Sequence, residues 1–416
     1  MHKLLVVGFS LSFFIGSAQS ITSPYTNFGI GEINDFSLPH QAGMAGVGLA
    51  LPNLYYINLK NPALLPYTLL TSFQVGLQSD VRTYNGGGPA TTDATASVSH
   101  MVFAVPIKAG KWGSAVSLLP YSSVNYDFLS RDIIANSTDS VANFFEGEGG
   151  LSQVSWSNGF KVYKNLNLGF RASYVFGSIT RRVNNLIEAG DISSPFIINY
   201  EEMTSYSDVV LSISMAHRIK VKEEVWFNYG VVYDLPGSLQ GSRSETLARL
   251  NQNQVEIVAI ELAEDQSIAF DLPSSLSIGT SIERFNKMQV GLDVQFLRWS
   301  NAAVQEGNGL HNSYSIALGA QITPDYKDVN SYLKRVDYRF GFGVSQLPYL
   351  ASGTEINEIG INFGASFPTK SFSSLDMGFK LGTRGTITNN LIRENFAQVV
   401  FGLTINDRWF IKRRYD

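Results

Sequence analysis

The stretch Lys287-Met288-Gln289-Val290-Gly291-Leu292-Asp293-Val294-Gln295-Phe296 decides the fold. Every even position is apolar, and the odd positions carry Lys, Gln, Gly, Asp and Gln. A period of two, kept without exception, places one set of side chains on each face of an extended strand. Outward from this stretch the pattern recurs. Leu168, Phe170, Ala172, Tyr174 and Phe176 alternate with Asn167, Gly169, Arg171, Ser173 and Val175, and Val336, Tyr338, Phe340, Phe342 and Val344 with Asp337, Arg339, Gly341, Gly343 and Ser345. Ile359–Phe367, Leu375–Leu381 and Ala397–Ile405 repeat it.

A soluble β-sandwich also alternates, and three features separate the two. The polar face is built from Gly, Ser, Asn and isolated charges, as a lumen would be, rather than from Lys, Glu and Thr. The runs reach about ten residues or more, longer than the usual five or six. Aromatics stand towards strand ends, at Tyr121, Tyr126, Tyr163, Trp226, Tyr233, Trp299 and Trp409, where an interfacial girdle would put them. The expected fold is all-β, a transmembrane antiparallel barrel of about 14 strands. The strand candidates are 71–82, 94–108, 112–127, 151–163, 165–180, 203–219, 225–241, 268–284, 286–300, 312–323, 335–347, 355–368, 373–386 and 391–406. Connections alternate short and long, the even count places both termini in the periplasm, and the longer loops fall outside. Ser244–Glu264 spaces Leu247, Leu250 and Val255 as a helix would, and Val183–Ala189 is a second helix candidate.

Composition excludes several functions. Charged residues make up 16% of the 416 positions, against roughly 25% in soluble domains. The net charge of −4 and the lack of a basic stretch argue against nucleic acid. There is no cysteine, and the five histidines lie far apart, so neither thiolate chemistry nor a His-paired metal site is expected. No nucleophile elbow, zinc-protease motif or phosphate-cradling glycine loop occurs, and no catalytic residue or cofactor is implied.

Lys3, the apolar run Leu4–Ile15 and the small residues Gly16-Ser17-Ala18-Gln19-Ser20 read as a signal peptide over 1–20; the run is short for a membrane anchor. Residues 21–70 then form a segment of their own before a barrel over 71–416. Gly43, Gly46 and Gly48 crowd together and Asn61-Pro62-Ala63 follows. Such a stretch suits neither a long strand nor a helix, and its irregular backbone cannot face lipid. Its apolar residues are too many for a free periplasmic arm, so a place inside the lumen is expected.

In this order, the export signal, the glycine-rich segment ending in Asn61-Pro62-Ala63, about fourteen strands and long third and fourth outer loops resemble the FadL/TodX outer-membrane transport proteins. Leu272–Gly279, Trp299-Ser300 and the ending Asp407-Arg408-Trp409-Phe410-Ile411-Lys412 resemble it too, the last as in barrels of Bacteroidota. The resemblance implies a hatch in the lumen built on Gly43, Gly46, Gly48, Asn61, Pro62 and Ala63. It also implies uptake of hydrophobic small molecules through a gap at a kinked third strand, where Pro120 and Tyr121 stand. A bulge without a pore is the alternative reading of Pro120.

An apolar capture surface is expected at Leu247, Leu250, Val255, Ile257, Val258 and Ile260. Lumen charges Arg171, Arg339 and Lys380 either meet a carboxylate or pair with Asp293, Asp337 and Asp376. The expected partners are outer-membrane lipid and a hydrophobic solute. A scaffold or shuttle in an outer-membrane protein complex, such as a secretion or assembly machinery, is the second reading; a type IX secretion protein of Bacteroidota resembles this family and binds proteins.

Overall fold

The computed structural model describes residues 23–86, 90–134, 139–189, 192–193, 196–251, 253–299, 310–369 and 372–409. The signal-peptide expectation, Ser300 and Phe410–Lys412 lie outside them. In chain order the strands are β1 (Glu32–Ile33), β2 (Thr71–Asn85), β3 (Thr91–Lys108), β4 (Trp112–Ile133), β5 (Ser140–Tyr163) and β6 (Leu166–Ala189). There follow β7 (Ile192–Ser193), β8 (Phe196–Lys222), β9 (Val225–Asp234), β10 (Gly237–Asn251), β11 (Glu256–Leu272) and β12 (Ser274–Arg284). The last are β13 (Met288–Arg298), β14 (Ser313–Ile322), β15 (Asp337–Ala351), β16 (Thr354–Pro368), β17 (Ser374–Arg384) and β18 (Arg393–Asp407).

Fourteen of these close a barrel in the order β2-β3-β4-β5-β6-β8-β9-β12-β13-β14-β15-β16-β17-β18. All neighbours are antiparallel, and the ring closes where β18 pairs with β2, from Arg393 opposite Asn85 to Asp407 opposite Thr71. Closure leaves no strand edge to face lipid along a fully paired wall. The alternation sorts as its chemistry requires: Met288, Val290, Leu292 and Phe296 are exposed on the outer face, while Gly291 and Asp293 point inward. Tyr338, Phe340 and Phe342 repeat this on β15, as Ile359, Ile361 and Phe363 do on β16.

Several expectations need correction. Residues 225–241 and 268–284 are not single strands; each breaks at a proline, Pro236 or Pro273, which has no N–H to give a ladder. Ser244–Glu264 is not helical but belongs to the β10–β11 hairpin, and Val183–Ala189 is the end of β6. There the β-branched content of Val255, Ile257, Val258 and Ile260, with the edge β8 offers to β10, overrides the helix-like spacing. Trp299 and Tyr126 are buried in the interior rather than set in a girdle. The strands also run longer than a membrane needs. With 27 residues, β8 spans about 90 Å at roughly 3.3 Å per residue, and a spanning strand takes only about 9–11. Its first part, Phe196–Tyr206, pairs with β10 and its last part, Ser212–Lys222, with β9. The wall β4-β5-β6-β8-β10-β11 therefore rises beyond the barrel at the end opposite Thr71 and Asp407.

Candidate functional site

Residues 23–70 run through the barrel interior, and the wall is shaped to receive them. Inward-facing glycines stand at matching heights on neighbouring strands: Gly113, Gly159 and Gly169 are in register, as are Gly230 with Gly279, Gly291 with Gly319 and Gly341, and Gly364 with Gly378. A Cβ at Gly230 would lie 2.0 Å from the Leu49 carbonyl oxygen, at Gly341 2.3 Å from the Met44 carbonyl carbon, and at Gly159 2.2 Å from the Pro62 carbonyl oxygen. The segment's backbone thus lies directly against the strands, an approach only glycine permits.

An irregular backbone shut inside a barrel must find partners for its polar groups. Asp293 accepts from the Gly48 and Leu49 amides at 2.8 and 3.0 Å. Ser281 donates to the Ala50 carbonyl (2.6 Å), Asn362 to Ala42 (2.7 Å), Arg171 to Leu59 (3.0 Å) and Asn406 to Tyr55 (2.9 Å). Asn61 opens the short 3-10 turn Pro62–Tyr67; its side chain accepts from the Ala63 amide and donates to the carbonyls of Leu49 (2.7 Å) and Met215 (3.2 Å). Proline at the first turn position has no N–H left over, which suits Pro62 to follow this cap. Gly46 takes φ +79° and its carbonyl accepts from Lys60, which also bridges Asp35 at 2.9 Å. Gly43 lies against Gly364, and Gly48 against the Gln41 side chain.

The lumen charges pair within the protein. Of the expected partners, the structure brings together Arg339 and Asp337 (3.3 Å); Ser366 links Arg339 onward to Asp376. Arg171 instead bridges Asp234 (3.1 Å) and stacks on Phe36, Lys380 bridges Glu358 (2.6 Å), and Asp293 faces Lys60. A network absent from the sequence reading joins Arg384 to Glu32 and Glu358, and Arg82 to Glu394, on which Ser23 also hydrogen-bonds. It ties the start of the lumen segment to β2, β16, β17 and β18.

Among the described residues the wall parts between β3 and β4. β3 and β4 pair from Lys108 opposite Trp112 up to Met101 opposite Leu118, and the register stops there. Beyond it β3 continues on β2 alone, while β4 pairs with β5 and, at Ser122 and Ser123, with β1. The Asn34 and Ser23 amides also donate to Tyr121 and Asn125 of β4. The lumen segment therefore occupies the β4 edge that β3 has left. Pro120, which has no N–H, stands at the parting, and Tyr121 is the extra residue of a bulge against β5. The bend carries into the neighbouring strands through Gly149, Gly150 and Gly177, at φ +105°, +146° and +148°.

A cavity of ≈ 520 Å³ opens on this parting. Ser99 of β3 and Leu119, Pro120 and Tyr121 of β4 line it, with Phe28, Phe270, Trp299 and Tyr349 around its aromatic side. Those four aromatics were missed in sequence because they sit on strand ends or in the lumen segment, where an aromatic reads as a girdle or as plain apolar content. A second cavity of ≈ 310 Å³, lined by Asn53, Tyr55, Tyr56, Phe285 and Phe372, lies on the far side of the segment. Leu247, Leu250, Val255, Ile257, Val258 and Ile260 line neither cavity; they stand on the β10–β11 hairpin.

A closed, lipid-faced antiparallel barrel whose interior is filled by its own chain defines an outer-membrane β-barrel. The chain belongs to the BamG family, whose sequence profile matches residues 1–416. No curated protein matches it in sequence. In structure it is similar to the toluene transporter TodX of Pseudomonas putida, with a TM-score of 0.62 at 13% identity over 91% of this chain and 100% of that one. It is also similar to the monoaromatic hydrocarbon channel CymD (0.58, 13%, 92% and 99%) and to a FadL homologue of Pseudomonas aeruginosa (0.58, 13%, 90% and 98%). At such identities the likeness is one of fold.

Proposed function

We propose that the protein is a non-enzymatic outer-membrane channel through which hydrophobic small molecules, fatty-acid-like or aromatic, pass sideways through the barrel wall. The observation that carries this reading is the parting of β3 from β4 beyond Met101 and Leu118, with the larger cavity lined from both sides of it. An apolar solute gains about 0.8 kcal/mol per CH₂ on leaving water, so a route from the aromatic side of this cavity, whose lining also holds Lys60, Arg171 and Asp293, straight into lipid avoids returning it to water. Residues 21–70 are the hatch, and the rim where β2 starts and β18 ends faces the periplasm, while the first described residue, Ser23, lies towards the other end, against Glu394 and Asn125. The ending Asp407–Lys412 supports an origin in Bacteroidota.

Replacing Pro120 with Val restores an N–H to β4 where its ladder with β3 stops, so that β3 competes with the lumen segment for the edge. Uptake of an apolar solute into proteoliposomes should slow several-fold, with heat-modifiable gel mobility unchanged. Uptake at the wild-type rate would remove Pro120 from the mechanism.

A second reading, a subunit of an outer-membrane protein complex, is favoured by one observation: the tip of the β10–β11 hairpin, Val255–Leu262, stands clear of both cavities with Val255, Ile257, Val258, Ile260 and Leu262 exposed.

A further inference from the structure

β10 rests on β8 along one edge and on β11 along the other, whereas among the described residues the register pairs β11 with β10 alone. From Val255 to Leu262 the β11 arm of the hairpin is bare on both faces: Ile257 is 43% exposed and its neighbour Val258, which points the opposite way, 51%, with Ile260 at 57% and Leu262 at 53%. Across from β10, the run Val258–Glu261 faces Arg249–Thr246 without a bulge, so its outer edge offers a regular row of backbone groups.

Exposed edges are ordinarily guarded by Lys, Pro or distortion. Glu256–Leu272 contains no Lys, Arg or Pro, and its register shifts against β10 flank Val258–Glu261 and leave those four residues undistorted. It carries five acids, Glu256, Glu261, Glu264, Asp265 and Asp271, and among the described residues none of them has an ion-pair partner. An open edge, apolar side chains and unneutralised negative charge together select an occupant. Lipid is a poor one, because bare N–H and C=O groups are costly in hydrocarbon and the acids are repelled by an anionic surface. A second copy is also poor, since it would bring the same acids against themselves.

We propose that the outer edge of β11 at Val258–Glu261 docks a basic, extended strand of a partner protein by strand addition. The backbone ladder supplies the attraction and the acids select Lys- or Arg-bearing strands. The inference deepens the complex-subunit reading and rests on it, and it is independent of transport.

A photo-crosslinking residue placed at Ile260 of the full chain, in native membranes, tests it, with one at lipid-facing Phe401 as control. The expected result is a crosslink from position 260 to one protein, through an extended peptide bearing Lys or Arg. Its yield should fall several-fold in Glu261→Lys/Glu264→Lys, exposed changes that leave the barrel and the uptake rate intact. Ala259→Pro, which removes an N–H from the strand, should abolish it. Crosslinks to lipid alone, to a second copy alone, or to nothing would overturn the proposal, as would a yield indifferent to charge reversal. Because uptake is measured on the same charge-reversed variant, a failure here leaves the channel reading standing.

Discussion

Valine at both Gly230 and Gly341 should drive residues 23–70 out of the lumen while the barrel stays closed. At these positions a Cβ would come within 2.0 Å of the Leu49 carbonyl oxygen and 2.3 Å of the Met44 carbonyl carbon, both of them backbone atoms of the segment. No rotamer change relieves such a clash, so the cost exceeds the about 1–3 kcal/mol typical of an overpacked core. The fourteen-stranded ladder does not depend on either side chain, and β-branched residues suit strands. The variant should keep heat-modifiable mobility, show a large rise in single-channel conductance, and expose the segment to protease. A conductance equal to wild type with the segment still protected would mean that the glycine rows are not its seat.

Arg384→Met should release the first part of the segment. The guanidinium is buried and bridges Glu32 and Glu358 at 2.5 Å each. Removing it leaves buried carboxylates short of a counter-charge, a loss of about 3–5 kcal/mol. Burial alone would raise the Glu32 carboxyl, but Arg384 and Arg82 outweigh it and hold it at about 2, below the ordinary 4.5. A depressed carboxylate stabilises the docked segment above its ordinary value and stops doing so as pH falls through the lowered one. The wild-type segment should therefore stay docked from neutral pH down to about pH 3 and come loose nearer pH 2. Hydrogen exchange over residues 23–34 should be fast in Arg384→Met already at pH 7. Equal protection in the two proteins would show that the network does not anchor the segment.

The wall of the barrel was legible because alternation is local: ten residues from Lys287 to Phe296 suffice to say which face meets lipid. What depended on register was not. Glycines such as Gly230 and Gly279 read in sequence as the small residues of a wet lumen. Only their pairing across strands, and the passage of Leu49 over both, makes them a seat. Two of the lumen cations took other partners for the same reason, Arg171 lying beside Asp234 and Lys380 beside Glu358 while Arg339 met Asp337, because strand stagger rather than sequence distance decides which inward groups meet. The Pro120 kink was visible as a proline inside a strand, but the loss of β3 pairing beyond it was not. Ser244–Glu264 misled because apolar residues at helical spacing also fit a hairpin one arm of which, β11, is exposed on both faces.

The most direct test of the sideways route is to close it. The chain has no cysteine, so Ser99→Cys/Leu119→Cys places a unique pair on the two sides of the parting, and a flexible bis-maleimide can link them in the folded barrel. Uptake of an apolar solute into proteoliposomes should be near wild type before linking and fall to the level of protein-free vesicles after it. Undiminished uptake by the linked barrel would contradict passage between β3 and β4.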